Sequence, residues 1–106
     1  MFADVFEMIV ICEELLDEFR RARRCEHCLA QAKNGCDPHH VFGRGLGGCT
    51  RLDIRVNLVA LCRKCHTLYH DGSISRLAMI RIAAAREGVP DEAVAETVYR
   101  MRRESK

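Results

Sequence analysis

Apolar positions Phe2, Val5, Phe6, Ile9, Leu16 and Phe19 recur at three- and four-residue steps, and Asp4, Glu7, Glu13, Glu14, Asp17 and Glu18 occupy the other side. This pattern predicts an amphipathic helix over about residues 3–22. Two short strand signals follow, at about Asp37 to Phe42 and at Leu58 to Leu61. A helix is expected from about Arg63, with Gly72 as its C-terminal stop. Ser73 is placed to cap a second long helix running to about Glu87, ended by Gly88, with Leu77, Ile80 and Ala84 as its buried stripe. Pro90 and Asp91 open a last helix through Val94, Val98 and Met101. The expected organisation is one α+β domain over residues 1–106. An N-terminal helix (1–24) and C-terminal helices (73–106) flank a small, loop-rich middle (25–72).

A chain of 106 residues suits a single domain. At 48% hydrophobic and 30% charged residues it has the balance of a folded globular protein, not of a disordered one. The longest apolar run, Met8 to Cys12, is far short of the roughly 20 residues a membrane helix needs. Asp4 and Glu7 stand where a secretory signal would carry a basic region and an apolar core. The expectation is a chain that works in a reducing, cytoplasmic compartment.

Net charge is only +2, but it is unevenly spread. Residues 1–19 hold six acids and no Lys or Arg, whereas residues 20–86 hold 13 Lys/Arg against Glu26, Asp37, Asp53 and Asp71. Residues 87–106 are close to neutral. A basic middle suggests a polyanion, and nucleic acid is the commonest such partner. Arg20, Arg21, Arg23 and Arg24 crowd the end of the first helix, more cations than a helix C-terminus requires.

The same middle segment holds all five histidines and six of the seven cysteines. Cys25-x-x-Cys28 and Cys62-x-x-Cys65 form two knuckles separated by 33 residues. Each knuckle aims two thiolates at one point, and two together build a closed tetrahedral Zn²⁺ site. An iron–sulfur cluster or thiol redox chemistry would use the same residues, although redox pairs usually sit in a βαβ unit that this pattern lacks. Four thiolates leave no open position, so the site reads as structural. Cys12 reads as a small buried apolar residue of the first helix, Cys36 and Cys49 carry no assignment, and His27 reads as exposed.

His66 and His70 are four apart and share one helix face. Zinc at the knuckles would bring them towards His39 and His40, making a second metal centre of His66, His70 and one of the His39/His40 pair. Thr67 stands where a zincin protease needs Glu, which excludes that chemistry. Gly43 to Gly48 matches G-x-G-x-x-G in form, but no strand–helix–strand unit surrounds it. The glycines read better as a turn of the chain or as a close backbone approach, for which Arg44, Arg51 and Arg55, close by in sequence, make phosphate the candidate.

Taken together, Cys25-Glu26-His27-Cys28, His39-His40-Val41, Gly47-Gly48, Asn57-Leu58-Val59-Ala60-Leu61-Cys62-Arg63-Lys64-Cys65-His66 and His70 resemble the HNH endonucleases. The resemblance spans residues 25–70; the terminal helices carry none of it. It implies a ββα-metal core with a four-cysteine zinc site, flanked by the terminal helices. It implies His39, His66 and His70 as ligands of one catalytic divalent ion (Mg²⁺, Mn²⁺, Ni²⁺ or Zn²⁺), His40 as the base that activates water, and Asn57 as the residue that fixes the loop and so orients that base. Leu29 follows the first knuckle where relatives often have Gly, a minor departure. A bacterial or phage setting is likewise implied by the family alone.

The function expected is metal-dependent hydrolysis of phosphodiester bonds in double-stranded DNA, with Arg44, Arg51 and Arg55 on the phosphates. A free imidazole, with an ordinary pKa of about 6.5, can act as base at neutral pH. One such centre cuts one strand, so a monomer would nick. A homodimer through the terminal helices, the other partner considered, could cut both strands of a palindrome. Two other readings compete. A zinc-ribbon nucleic-acid-binding module explains the cysteines and the basic middle but not the histidines. A structural interaction domain explains only the amphipathic ends.

Overall fold

The computed structural model describes residues 9–43 and 51–104. In chain order the elements are β1 (Ile9–Val10), α1 (Glu13–Arg20), β2 (Asp37–His40), β3 (Arg51–Leu52), a 3-10 turn (Arg55–Asn57), β4 (Leu58–Leu61), α2 (Arg63–His70), α3 (Arg76–Glu87) and α4 (Asp91–Glu104). The fold is α+β, with four helices and two short two-stranded sheets among the described residues.

β4 reads as an unbroken apolar run because both of its faces are covered. Leu58 and Ala60 pack against Leu16 and Phe19 of α1. Val59 and Leu61 belong to the cluster that contains Met79, Ala83, Val94 and Val98 of α3 and α4. β2 pairs with β4 antiparallel, Asp37 opposite Leu61, His39 opposite Val59 and His40 opposite Leu58. Pairing residues share a sheet face. His39 therefore shares the Val59 face, towards α2 and α3, and His40 shares the Leu58 face, towards α1. α2 starts directly after β4: the Cys62 Sγ caps it by accepting the Cys65 N–H at 3.4 Å. Gly72, at φ +89°, follows the end of α2 as expected.

The N-terminal helix is much shorter than the periodicity predicts. Residues 1–8, with Phe2, Val5 and Phe6, lie outside the described residues. Ile9–Val10 is a strand, pairing in parallel with Arg51–Leu52, and the helix begins only at Glu13. The reason is tertiary. The Val10 carbonyl accepts the Asp53 N–H at 2.8 Å, and the Cys12 N–H is taken by the Asp53 carboxylate at 2.9 Å, so neither group enters a helical ladder. Cys12 is thus the extended, half-buried residue before the helix and not a core residue inside it.

α3 also departs from expectation in its details. Ser75, not Ser73, caps it, its Oγ accepting the Ala78 N–H at 3.2 Å. Ser73 is held in a turn by the Asp71 carboxylate. The buried stripe is Met79, Ala83 and Ala84; Leu77 is exposed and Ile80 half-buried. Gly88, at φ +72°, ends α3, and Val94 and Val98 of α4 are fully buried within the chain. Burial of each such side chain stabilises by roughly 1.5–3 kcal/mol. Among the described residues no helix is long and apolar enough to cross a membrane.

Candidate metal centres

The two knuckles meet. The Sγ atoms of Cys25, Cys28, Cys62 and Cys65 all lie within 4.8 Å of one another, and those of Cys28 and Cys62 are 3.9 Å apart. Tetrahedral Zn²⁺ with Zn–S bonds of about 2.3 Å sets sulfurs about 3.8 Å apart. Burial opposes ionisation of the Cys25 thiol, but backbone N–H groups, those of His27 and Cys28 among them, outweigh it and hold its pKa down to about 7. Burial and the neighbouring sulfurs push Cys65 up instead. Four thiolates this close repel one another unless a cation sits among them. The donor set is compatible with a structural zinc. His27 is exposed, as expected, yet its Nδ1 reaches to 3.5 Å from the Cys65 Sγ. Glu26, inside the first knuckle, ties the site to β4: its N–H donates to the Ala60 carbonyl and its carboxylate accepts the Ala60 N–H.

The second cluster joins β2 to α2. His39, His66 and His70 each place one nitrogen within 4.8 Å of the others. His66 and His70 come together through their helical spacing, with Nε2 atoms 3.1 Å apart. Two imidazole nitrogens on a tetrahedral ion with bonds of about 2.05 Å sit about 3.3 Å apart. His39 is buried, packs against the tilted Tyr69 ring with centroids 4.2 Å apart, and its Nε2 has no hydrogen-bond partner among the described residues. Leaving such an atom unsatisfied costs about 1–3 kcal/mol, which a bound ion would remove. Burial and the nearby His66 and His70 push the His39 pKa down to about 4, so the ring is neutral and its lone pair is free near pH 7.

Sequence reasoning missed a carboxylate here. The Asp37 Oδ2 lies 3.0 Å from the His66 Nδ1. Burial opposes ionisation of Asp37, but hydrogen bonds from His66 and Arg63 hold it below the usual range. As an ionised acceptor it puts the proton on Nδ1 and turns the Nε2 lone pair of His66 towards the cluster, the arrangement that supports histidine ligands.

His40 is not part of that cluster. Its Nε2 lies 2.7 Å from the Oδ1 of Asp53, a second carboxylate that went unread in the sequence. Burial opposes ionisation of Asp53, but hydrogen bonds from Arg51, His40 and the Cys12 N–H outweigh it. The ionised Asp53 accepts, so a neutral His40 ring would carry its proton on Nε2 and keep the lone pair on Nδ1. A signal for both acids did exist. Asp37 and Asp53 are two of only four acids in the basic stretch 20–86, where an isolated carboxylate needs a reason.

Asn57 is fully buried and closes the loop after β2. Its Oδ1 accepts the Phe42 N–H at 2.8 Å, and its Nδ2 donates to the carbonyls of Phe42 and Leu52 at 3.1 and 3.0 Å. It holds both ends of the segment between His40 and Asp53.

The arginines expected on phosphate fare differently. Arg44 lies outside the described residues, as do Gly45 to Gly48 and Cys49. Arg51 donates to Asp53, beside His40. Arg55 is bound elsewhere: it pairs with Glu18 at 2.6 Å and Glu87 at 3.1 Å, and lies over the Phe19 ring, on the α1 side of β4. No protein-family model, no curated protein and no solved structure matches the chain.

Proposed function

We propose that this chain is a metal-dependent endonuclease of the HNH type, hydrolysing phosphodiester bonds in double-stranded DNA. The observation that carries this reading is the convergence of His39, His66 and His70 next to a fourth histidine, His40, held by a buried carboxylate. An antiparallel strand pair leading into a helix, pinned by a four-cysteine cluster, is the scaffold such a ββα-metal centre needs. Zn²⁺ on Cys25, Cys28, Cys62 and Cys65 would be structural.

A divalent ion bound by His39, His66 and His70 supplies a Lewis acid for the scissile phosphate and the leaving 3′-oxygen. The chain's own residues do the rest. The Nδ1 of His40 takes a proton from water as the water oxygen attacks phosphorus and the bond to the 3′-oxygen breaks. Asp53 fixes the ring's orientation and stabilises the imidazolium that forms. Asn57 keeps the strand end and the following loop in register, so that His40 stays aimed. Asp37 keeps the Nε2 of His66 free of a proton.

Incubation of supercoiled plasmid with the zinc-loaded chain and Mg²⁺, Mn²⁺, Ni²⁺ or Zn²⁺ tests the proposal. Conversion to nicked or linear DNA is expected, blocked by chelator and lost in His40→Ala. A wild type that binds DNA but cuts it with none of these ions would instead be a zinc-ribbon binding module.

A further inference from the structure

The arginine cluster at the end of α1 is not consumed by the fold. A helix C-terminus accommodates one or two cations. Arg20 serves that end and is neutralised on its own helix, with Nη1 2.6 Å from Asp17 and 3.4 Å from Glu13. Arg24 donates to the Leu29 carbonyl at 2.7 Å. Arg21 and Arg23 have no carboxylate within ion-pair distance among the described residues.

Segment 30–36 turns this helix end into a cleft. The Ala32 N–H donates to the Arg23 carbonyl at 2.9 Å and the Cys36 N–H to the Arg20 carbonyl at 3.1 Å. Between them Gly35 adopts φ +86° and passes so close to α1 that a Cβ would meet the Arg20 carbonyl oxygen at 2.2 Å. Only glycine allows that approach. Lys33 and Asn34 are thereby set across from the helix end. The result is a cleft of about 450 Å³ lined by Arg20, Arg21, Arg23, Lys33, Asn34 and Gly35, with no acid in its wall. The Arg23 Nη1 donates to the Lys33 carbonyl at 3.2 Å, which fixes one guanidinium at its edge.

We propose that this cleft binds the phosphate backbone of the DNA engaged at the histidine centre, an inference that rests on the endonuclease reading. Guanidinium groups pair with phosphate oxygens two at a time, and such contacts position the duplex without reading its sequence. The location fits. Gly35 is two residues before Asp37, at most about 7 Å of chain, and the Asp37 carboxylate touches His66. The cleft edge at Gly35 thus lies within a few base-pair rises, of about 3.4 Å each, of His66, although α1 itself packs on the sheet face opposite to His39. The phosphate contacts expected of Arg55 fall to Arg21, Arg23 and Lys33 instead.

The test is fluorescence anisotropy of the full zinc-loaded chain with a labelled duplex of about 20 base pairs, at several salt concentrations and without added divalent ion. Each phosphate contact contributes about 0.9 to the slope of log K against log salt. Arg21→Gln and Lys33→Gln should each lower the slope by about 0.9, and the triple variant with Arg23→Gln by about 2 to 3. Arg81→Gln, on the outside of α3, should leave it unchanged. The side chains of Arg21 and Lys33 make no hydrogen bond among the described residues, so these two variants keep the fold, which a thermal melt checks. Unchanged slopes in both overturn the proposal. So does competition by inorganic phosphate alone with no change in the DNA slope. Plasmid cleavage run in parallel separates the two readings. Cleavage with unchanged slopes overturns the cleft only, and lowered slopes without metal-dependent cleavage keep the cleft and overturn the endonuclease.

Discussion

Asp53 holds His40 at 2.7 Å from a position with no solvent exposure of its own side chain. Its two oxygens also take hydrogen bonds from the Arg51 Nε and Nη2 and from the Cys12 N–H. One buried carboxylate thus connects the residue before α1, strand β3 and the last residue of β2. The ring it orients is partly exposed and has one nitrogen left to work with.

His40→Ala should lower cleavage about 100- to 10,000-fold, the usual contribution of a general base. Asp53→Asn should lower it less, about 10- to 100-fold, as is common for a residue acting through a catalytic side chain. Both should bind the zinc and the second ion as the wild type does, by titration calorimetry. If His40→Ala loses the second ion while His39→Ala keeps it, the roles of the two histidines are exchanged.

Metal analysis of the purified chain should find about one tightly held zinc. Structural zinc contributes roughly 10–16 kcal/mol of apparent binding energy, which is also folding energy. Cys25→Ser and Cys62→Ala are therefore expected to unfold or aggregate, as read by circular dichroism. A well-folded wild type free of metal would contradict the assignment.

Asn57→Ala should destabilise strongly. It leaves the Phe42 N–H and the carbonyls of Phe42 and Leu52 buried without their partner. At about 1–3 kcal/mol for each unsatisfied group, the loss should exceed about 3 kcal/mol. For a domain of this size that lowers Tm by more than about 10 °C. A melt within a few degrees of wild type would show that water or a rearranged loop replaces the side chain.

Acid should destabilise the zinc-loaded chain through His39. Its folded pKa of about 4 lies below the unfolded value of about 6.5. Between these pH values the unfolded chain takes up a proton that the folded chain refuses. Stability is therefore full above about 6.5 and falls as pH drops towards 4. Asp53 acts in the same direction but lower: its contribution is present above the unfolded carboxylate value of about 3.9 and is lost as pH falls through its depressed folded value. Thermal melts from pH 7 to pH 5 should show a shallower loss in His39→Asn than in wild type. Equal slopes would mean that the His39 ring is hydrated.

Local chemistry marks the candidate metal centres of this protein. A Cys-x-x-Cys knuckle and a four-residue histidine spacing are short-range geometry: the chain between the ligands is too short to place them elsewhere. The same holds for Gly72 and Gly88, whose freedom to adopt positive φ suits helix ends, and for Pro90, whose fixed φ suits a helix start. Leu58 to Leu61 announced a strand because nothing polar interrupts it, and the fold showed that both of its faces are covered.

Tertiary packing decided what acts over long separations. Nothing in the local sequence says that Asp53 reaches back to His40, or that Asp37 reaches forward to His66, because a single acid carries no period. The apolar spacing of residues 2–19 is that of one long helix. Yet residues 9 and 10 pair with β3, and the Cys12 N–H answers a buried carboxylate, and those bonds outweigh helical propensity. Arg55 looked free to meet phosphate until the fold brought Glu18 and Glu87 against it, and Arg21 and Lys33 became a cleft only because Gly35 lets two segments touch. The residue types and spacings determined which groups with metal-ligand chemistry this chain carries. The fold alone decided which of its charges neutralise one another and which face outwards, since that depends on burial and on partners distant in the chain.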